Sequence, residues 1–176
     1  MEGPHLGNSL VALEPAAPSN VDVLIDWTLD PIAQGPYKLV PVLSAEELRQ
    51  AFLFGQDRQY FMIRRVDDRK PIGRFYWRAW RFDGPDGAID WELNILLADP
   101  ADRGRGFGSV VQRMAAEYLA DRRDSRSIFA FTLMANEAER RALLKAGFRE
   151  RGTLPQSRYP VALPKDLCIL FVWPET

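Results

Sequence analysis

Arg103-Gly104-Arg105-Gly106-Phe107-Gly108 stands between a run that reads as a strand and a run that reads as a helix. Upstream, Trp91 to Ala98 (WELNILLA) is mostly apolar, too short for a helix, and closed by Asp99-Pro100. Downstream, Val110, Val111, Met114, Ala115, Tyr118 and Leu119 recur at helical spacing, so a helix is predicted from about Ser109. Alternate glycines let the backbone turn tightly and present successive N–H groups. With the positive end of a helix behind them, such groups make a pocket for a phosphate or pyrophosphate. Arg103 and Arg105 add charge at its mouth. The junction reads as an anion site.

Several ligands could use such a junction. A P-loop requires G-x-x-x-x-G-K-[ST], and no lysine lies here. A dinucleotide fold requires G-x-G-x-x-G and an acid at the end of the next strand. The spacing here is G-x-G-x-G, and Asp121 and Asp124 precede the strand predicted over Ile128 to Leu133 instead of ending it. A Gly-rich turn with no ligand is the plain alternative.

The R-x-x-G-x-G pattern resembles the pyrophosphate loop of the GNAT N-acyltransferase superfamily. Ala135 to Phe148 (ANEAERRALLKAGF) is similar to the segment after that family's fifth strand, where an Asn opens a helix and Gly-Phe closes it. Asn136 is a strong N-cap and Gly147 a good C-cap, so ordinary capping accounts for both residues but not for the whole order of elements. WELNILLADPADRGRGFG resembles the Rim-type branch, the ribosomal-protein and related acetyltransferases, with A-E-L/I-G-x-x-x-x-D-P-x-x-R-G-x-G. The resemblance is strongest from Trp91 to Phe148.

It implies an α/β (α+β) GNAT fold: a central, mixed, mostly antiparallel sheet of roughly six to seven strands, splayed after the fourth, with about four helices. Residues 1–8 are expected to be loose and 9–176 to form one acyltransferase domain. Expected strands are Ser9 to Leu13, Tyr60 to Val66, Ile72 to Phe82 and Trp91 to Ala98, then Ile128 to Leu133 and the apolar run Leu167 to Trp173. Ser19 or Asn20 is expected to cap a helix through Trp27. Asp30-Pro31 and Gly35-Pro36 make a broken connection, and Ser44 with Glu47 nearly forms a capping box ahead of Phe52.

The length of 176 residues suits one sizeable core, and 47% hydrophobic with 27% charged residues is ordinary globular composition. A net charge of −1 gives no drive toward nucleic acid or anionic membrane. No segment approaches the ~20 apolar residues of a bilayer span, and no signal peptide is evident, so a cytoplasmic protein is expected. Cys168 is the sole cysteine and reads as a buried strand residue rather than a reactive thiol. His5, the sole histidine, lies in the loose N-terminus, so neither a His-based triad nor a His metal site is expected.

The resemblance implies transfer of an acetyl group from acetyl-CoA to a primary amine of a small molecule or a protein N-terminus, with no metal. Arg103, Gly104, Arg105, Gly106, Phe107, Gly108 and Ser109 would surround the coenzyme A pyrophosphate. The backbones of Leu96 and Ala98 would bind pantetheine, with Asn136 beside the same arm. Glu92 occupies the position of the Rim-type glutamate and would relay the amine proton, its pKa raised by apolar neighbours; the alternative is a strand Glu paired with an arginine. Many GNAT enzymes carry a thiolate-protonating Tyr four residues before the Gly-Phe glycine. Leu143 stands there, which leaves Tyr159, water or no general acid. Asn94 replaces the usual Gly of the Rim-type strand.

Trp27, Tyr37, Trp77 and Trp91 are candidates to line the acceptor site, with core packing as the alternative for each. Asp26, Asp30 and Asp90 could attract an amine or serve as caps. Expected partners are a coenzyme A thioester and an amine, with homodimerisation left open. The alternative function is a catalytically weak GNAT-fold protein that binds acyl-CoA as a sensor or interaction module.

Overall fold

A computed structural model describes residues 3–37, 43–81, 87–153 and 168–174, with Tyr37 and Arg81 described by their backbone only. Alternation of side chains along the strands decides the architecture. In β4 (Pro71–Arg81), Phe75 and Trp77 are buried, and Arg74, Tyr76, Arg78 and Trp80 point to the other face. The same alternation runs through β3 (Arg58–Arg65) and β5 (Ile89–Leu97). One face therefore packs Phe61, Phe75, Trp77 and Leu93 against Val111, Ala115 and Leu119 of α4 (Phe107–Ala120). The opposite face packs Tyr60 and Met62 against Leu24 and Ile25 of α1 (Val21–Leu29) and Leu48 and Phe52 of α3 (Ala45–Phe54). The sheet is a shared wall between two apolar cores.

The strands β1 (Leu6–Gly7), β2 (Val11–Pro15), β6 (Ser125–Leu133), β7 (Arg149–Thr153) and β8 (Cys168–Val172) complete an eight-stranded sheet of order β1-β2-β3-β4-β5-β6-β8-β7. Only β5 and β6 run parallel. Their pairing runs from Ile89↔Ser125 to Glu92↔Phe129, and β5 continues to Leu97 without a β6 partner. β6 holds β8 along Phe129 to Leu133. The sheet thus splays in the middle of its one parallel pair, at the expected strand.

Local signals account for the helix ends. Ser44 and Glu47 form the capping box of α3. Asn136 Oδ1 accepts from Glu139 N at 3.3 Å to open α5 (Glu137–Ala146), and Gly147 closes it in the left-handed conformation. Two expectations are corrected. Leu6–Gly7, within the segment read as loose, pairs with Ala12 and Leu13 and adds an eighth strand. The connection read as broken contains α2 (Pro31–Gln34), because Asp30 Oδ1 accepts from Ile32 N at 2.8 Å and Pro31 fits a first helical turn. With it the α-helices number five among the described residues. Cys168 is fully buried, and no described helix is long and apolar enough to cross a membrane.

Candidate active site

A cavity of about 780 Å³ opens where the β5/β6 pairing ends. One end is made by the glycine loop and the starts of α4 and α5. The other is made by α2 and the strand residues facing α1 and α3. Gly104 and Gly106 adopt φ of +71° and +87°, which L side chains avoid. Among the described residues, no atom lies within 4 Å of a side chain built on Gly104, and only Lys145 Nζ, at 3.9 Å, approaches one on Gly106. The loop backbone is therefore bare toward the cavity. Gly106 is the N-cap of α4 and supplies no side-chain cap, so the first N–H groups of that helix lack intrahelical partners. An anion can fill the role that a capping side chain would otherwise take.

The flanking arginines behave differently from the expectation. Arg103 Nη2 donates to Ile32 O (2.7 Å), Ala33 O (3.1 Å) and Leu97 O (3.0 Å), and its Nε donates to Leu97 O (3.1 Å). The side chain is a clamp that ties α2 to the end of β5. Arg105 is half exposed, 3.5 Å from the buried Asp102 and over the Phe107 ring. The phenyl ring of Phe107 is buried in the core, so only its backbone is placed to meet a ligand. Ser109 is buried at the cavity wall. Two cations not singled out from the sequence, Arg141 and Lys145, also line this end. Their i, i+4 spacing after the Asn136 cap put them on one helix face, and that was the available signal.

Leu96 lines the cavity, as does Asn136. Ala98 does not fit its expected part: its N–H donates to Ile72 O at 3.0 Å and is spent within the sheet. Glu139 lines the cavity next to Asn136, and burial pushes its carboxyl up to about 8, partly offset by a hydrogen bond with Gln112. An unfolded glutamate titrates near ~4.3, so between ~4.3 and ~8 the folded chain holds a proton that the unfolded chain has lost. Stability therefore falls as pH rises through that window. Glu139→Gln should remove the slope and make the variant the more stable form at pH 9, by up to a few kcal/mol on the order of the shift. Melting curves of both proteins from pH 5 to 9 that stay parallel would refute this.

Glu92 is 2% exposed and faces the far end of the cavity. Its Oε2 accepts from Trp80 Nε1 at 2.8 Å and from Arg78 Nη1 at 3.5 Å, and its Oε1 accepts from Tyr76 Oη at 3.3 Å. The apolar surroundings expected of it are replaced by three donors. Tyr76 and Arg78 are thus site residues that the sequence reading missed. Burial, with the Glu92 charge, pushes the Tyr76 phenol far above its usual range. The phenol keeps its proton and serves as a donor.

The aromatic candidates separate. Trp77 and Trp91 are 4% and 8% exposed, lie edge to face 6.4 Å apart, and face α4, where Trp77 stacks on Tyr118. Both tryptophans belong to the core that faces α4, and neither lines the cavity. Trp27 packs with Val23, Leu53 and Tyr76 on the second core. The Tyr37 side chain and all of Tyr159 lie outside the described residues. Leu143 is fully buried. Asp90 is spent on Arg126 (2.9 Å) and Ser127 (2.6 Å), and Asp30 caps α2, while Asp26 is exposed on α1. No cluster of three or more His, Cys, Asp or Glu that could hold a metal occurs among the described residues.

Residues 11–149 match the family model described as an acetyltransferase (GNAT) domain. No curated protein matches the chain. Among solved structures, the aminoglycoside acetyltransferase AAC(6')-Ib in complex with paromomycin and acetyl-CoA is 18% identical, with 93% of each chain covered and a TM-score of 0.71. RimL, a ribosomal L7/L12 α-N-protein acetyltransferase in complex with coenzyme A, is 18% identical, covers 96% of this chain and 97% of its own, and has a TM-score of 0.71. A spermidine N-acetyltransferase chimera from Vibrio cholerae and hSSAT is 15% identical, with 93% and 94% covered and a TM-score of 0.70.

Proposed function

The chain belongs to the GNAT acetyltransferase family, and from that premise we propose that it transfers an acetyl group from acetyl-CoA to a primary amine by direct attack in a ternary complex. The observation that carries this reading is one continuous cavity. It joins an uncapped, glycine-bared helix start to a buried carboxylate through the gap in the sheet. The loop from Gly104 to Ser109 would hold the pyrophosphate by backbone N–H groups, with Arg105, Arg141 and Lys145 around it. Leu96 and Asn136 would flank the pantetheine arm. Acetyl-CoA supplies an activated acyl carbon and a good leaving group.

Glu92 takes the proton that the amine loses as it forms the new C–N bond, directly or through water. Tyr76, Trp80 and Arg78 hold that carboxylate in place. Leu143 offers no proton to the departing thiolate, which can leave as the anion. An acyl-CoA sensor would share the loop and the gap but would not turn over.

Thiol release from acetyl-CoA, measured across a panel of primary amines beside calorimetry with coenzyme A, separates the two. The expected result is binding together with amine-dependent release. Binding with no release from any amine would replace the enzyme with the sensor.

A further inference from the structure

We propose that the acceptor amine also carries an anionic group, a carboxylate or a phosphate, received by Arg58 and Arg74 beside Tyr76. This rests on the acetyltransfer reading and names the substrate class for the same cavity, which Arg58 lines and which Arg74 adjoins through its contacts with Tyr76 and Asn94. The even-numbered positions of β3, β4 and β5 bring Arg58, Arg74, Tyr76, Arg78, Glu92 and Asn94 to one face. Arg58 and Arg74 lie 5.4 and 5.6 Å from the centre of the Tyr76 ring, so two guanidinium groups share one phenol.

The charges there do not balance. Arg78 is matched by Asp57 at 2.8 Å and Glu92 at 3.5 Å. Arg58 is left with a long 3.9 Å approach to the same Asp57. Arg74 donates to the neutral Asn94 Oδ1 at 3.0 Å, and no carboxylate among the described residues pairs with it. Among the described residues, three guanidinium groups thus face two carboxylates. The Nε atoms of both Arg58 and Arg74 are buried without a hydrogen-bond partner. Burial and the like charge of Arg58 pull the Arg74 pKa down, which is the cost of holding this group without an anion.

A guanidinium fork is suited to a carboxylate or phosphate, and a buried one left unpaired is suited to little else. The Tyr76 hydroxyl donates to Glu92 while its ring faces both arginines, so base and anion site share one side chain. That proximity fits a small molecule that carries its anion near its amine. A polycation would add like charge to an unbalanced cluster. Spermidine and the aminoglycosides named with the structural neighbours therefore do not suit this end of the cavity.

The test pairs each acid with its neutral counterpart: glycine, β-alanine and γ-aminobutyrate against their amides, and phosphoethanolamine against ethanolamine, with spermidine and kanamycin as polycations. Acetyl-CoA consumption should favour at least one anionic member over its partner by ~10²-fold in kcat/KM, with the carboxylate and phosphate arms telling which anion is taken. Arg74→Met and Arg58→Gln should each cut that preference by ~10-fold or more, and Arg74→Met should melt higher than wild type because an unpaired buried charge is gone. Calorimetry with N-acetyl-β-alanine and N-acetyl-β-alaninamide gives a readout that needs no turnover and no variant, and the acid should bind the tighter. Turnover led by neutral amines or spermidine overturns the acceptor class and leaves acetyl transfer standing. Loss of coenzyme A affinity in Arg74→Met reassigns the arginines to the cofactor's phosphates and also overturns it. Coenzyme A binding with no amine consumed and no discrimination between the two N-acetyl compounds removes the transfer reading, and the acceptor class with it.

Discussion

Gly106→Val should lose coenzyme A binding by ~10²-fold or more while the domain remains folded. Two separate effects meet at this residue. The left-handed φ of +87° costs a β-branched residue about 1–3 kcal/mol, a strain felt whether or not a ligand is present. The second effect exists only with ligand: among the described residues only Lys145 Nζ approaches the space in front of Gly106, so an added side chain occupies the place where an anion meets the start of α4. Gly152 is a matched control, with φ of +86° and no described residue within 4 Å of an added side chain, but it lies in β7 and does not line the cavity. Gly152→Val should lower the melting temperature by a similar amount and leave coenzyme A binding intact. Equal affinities of wild type and Gly106→Val by calorimetry would take the pyrophosphate out of this loop.

What could be read from the chain beforehand was what one turn of backbone decides. Ser44 with Glu47, Asn136 and Gly147 act on neighbours within four residues, and each is where its chemistry predicted. The loop was legible for the same reason, since a strand, alternate glycines and a helix start are contiguous. Arg103 was not. It looked like a phosphate ligand because it adjoins the glycines, yet its strongest partners, Ile32 O and Ala33 O, lie about seventy residues upstream and are brought near only by the fold.

The tryptophans show a subtler limit. RFYWRAW, Arg74 to Trp80, already told that Trp77 and the arginines point opposite ways. It could not tell which face would be covered by α4 and which would open to the cavity, because that depends on where α1, α3 and α4 dock. Once Phe75 and Trp77 meet α4, parity puts Arg74, Tyr76 and Arg78 on the opposite face, where Tyr76 and Arg78 line the cavity, and leaves Trp91 in the core. The sequence therefore points to aromatic side chains and three aspartates for the acceptor, whereas the proposed acceptor end is built around Arg58, Arg74, Tyr76 and Glu92.

Glu92→Gln should lower kcat by ~10²-fold or more and leave acetyl-CoA affinity nearly unchanged. The substitution preserves shape but cannot accept a proton. It also disturbs the cluster in a known way: a Gln amide has one acceptor where the carboxylate has two, and Trp80 Nε1, Tyr76 Oη and Arg78 Nη1 all donate to this group. One donor is then left short, which costs about 1–3 kcal/mol of stability. A lower melting temperature is expected whatever the role of Glu92 and decides nothing alone. The kinetic split does decide. Trp80→Phe removes the shortest of these hydrogen bonds and keeps the carboxylate, so it should cost comparable stability and retain most of the turnover. If Glu92→Gln and Trp80→Phe both melt early and both keep wild-type turnover, Glu92 is an ion-pair partner of Arg78 and the proton leaves by another route.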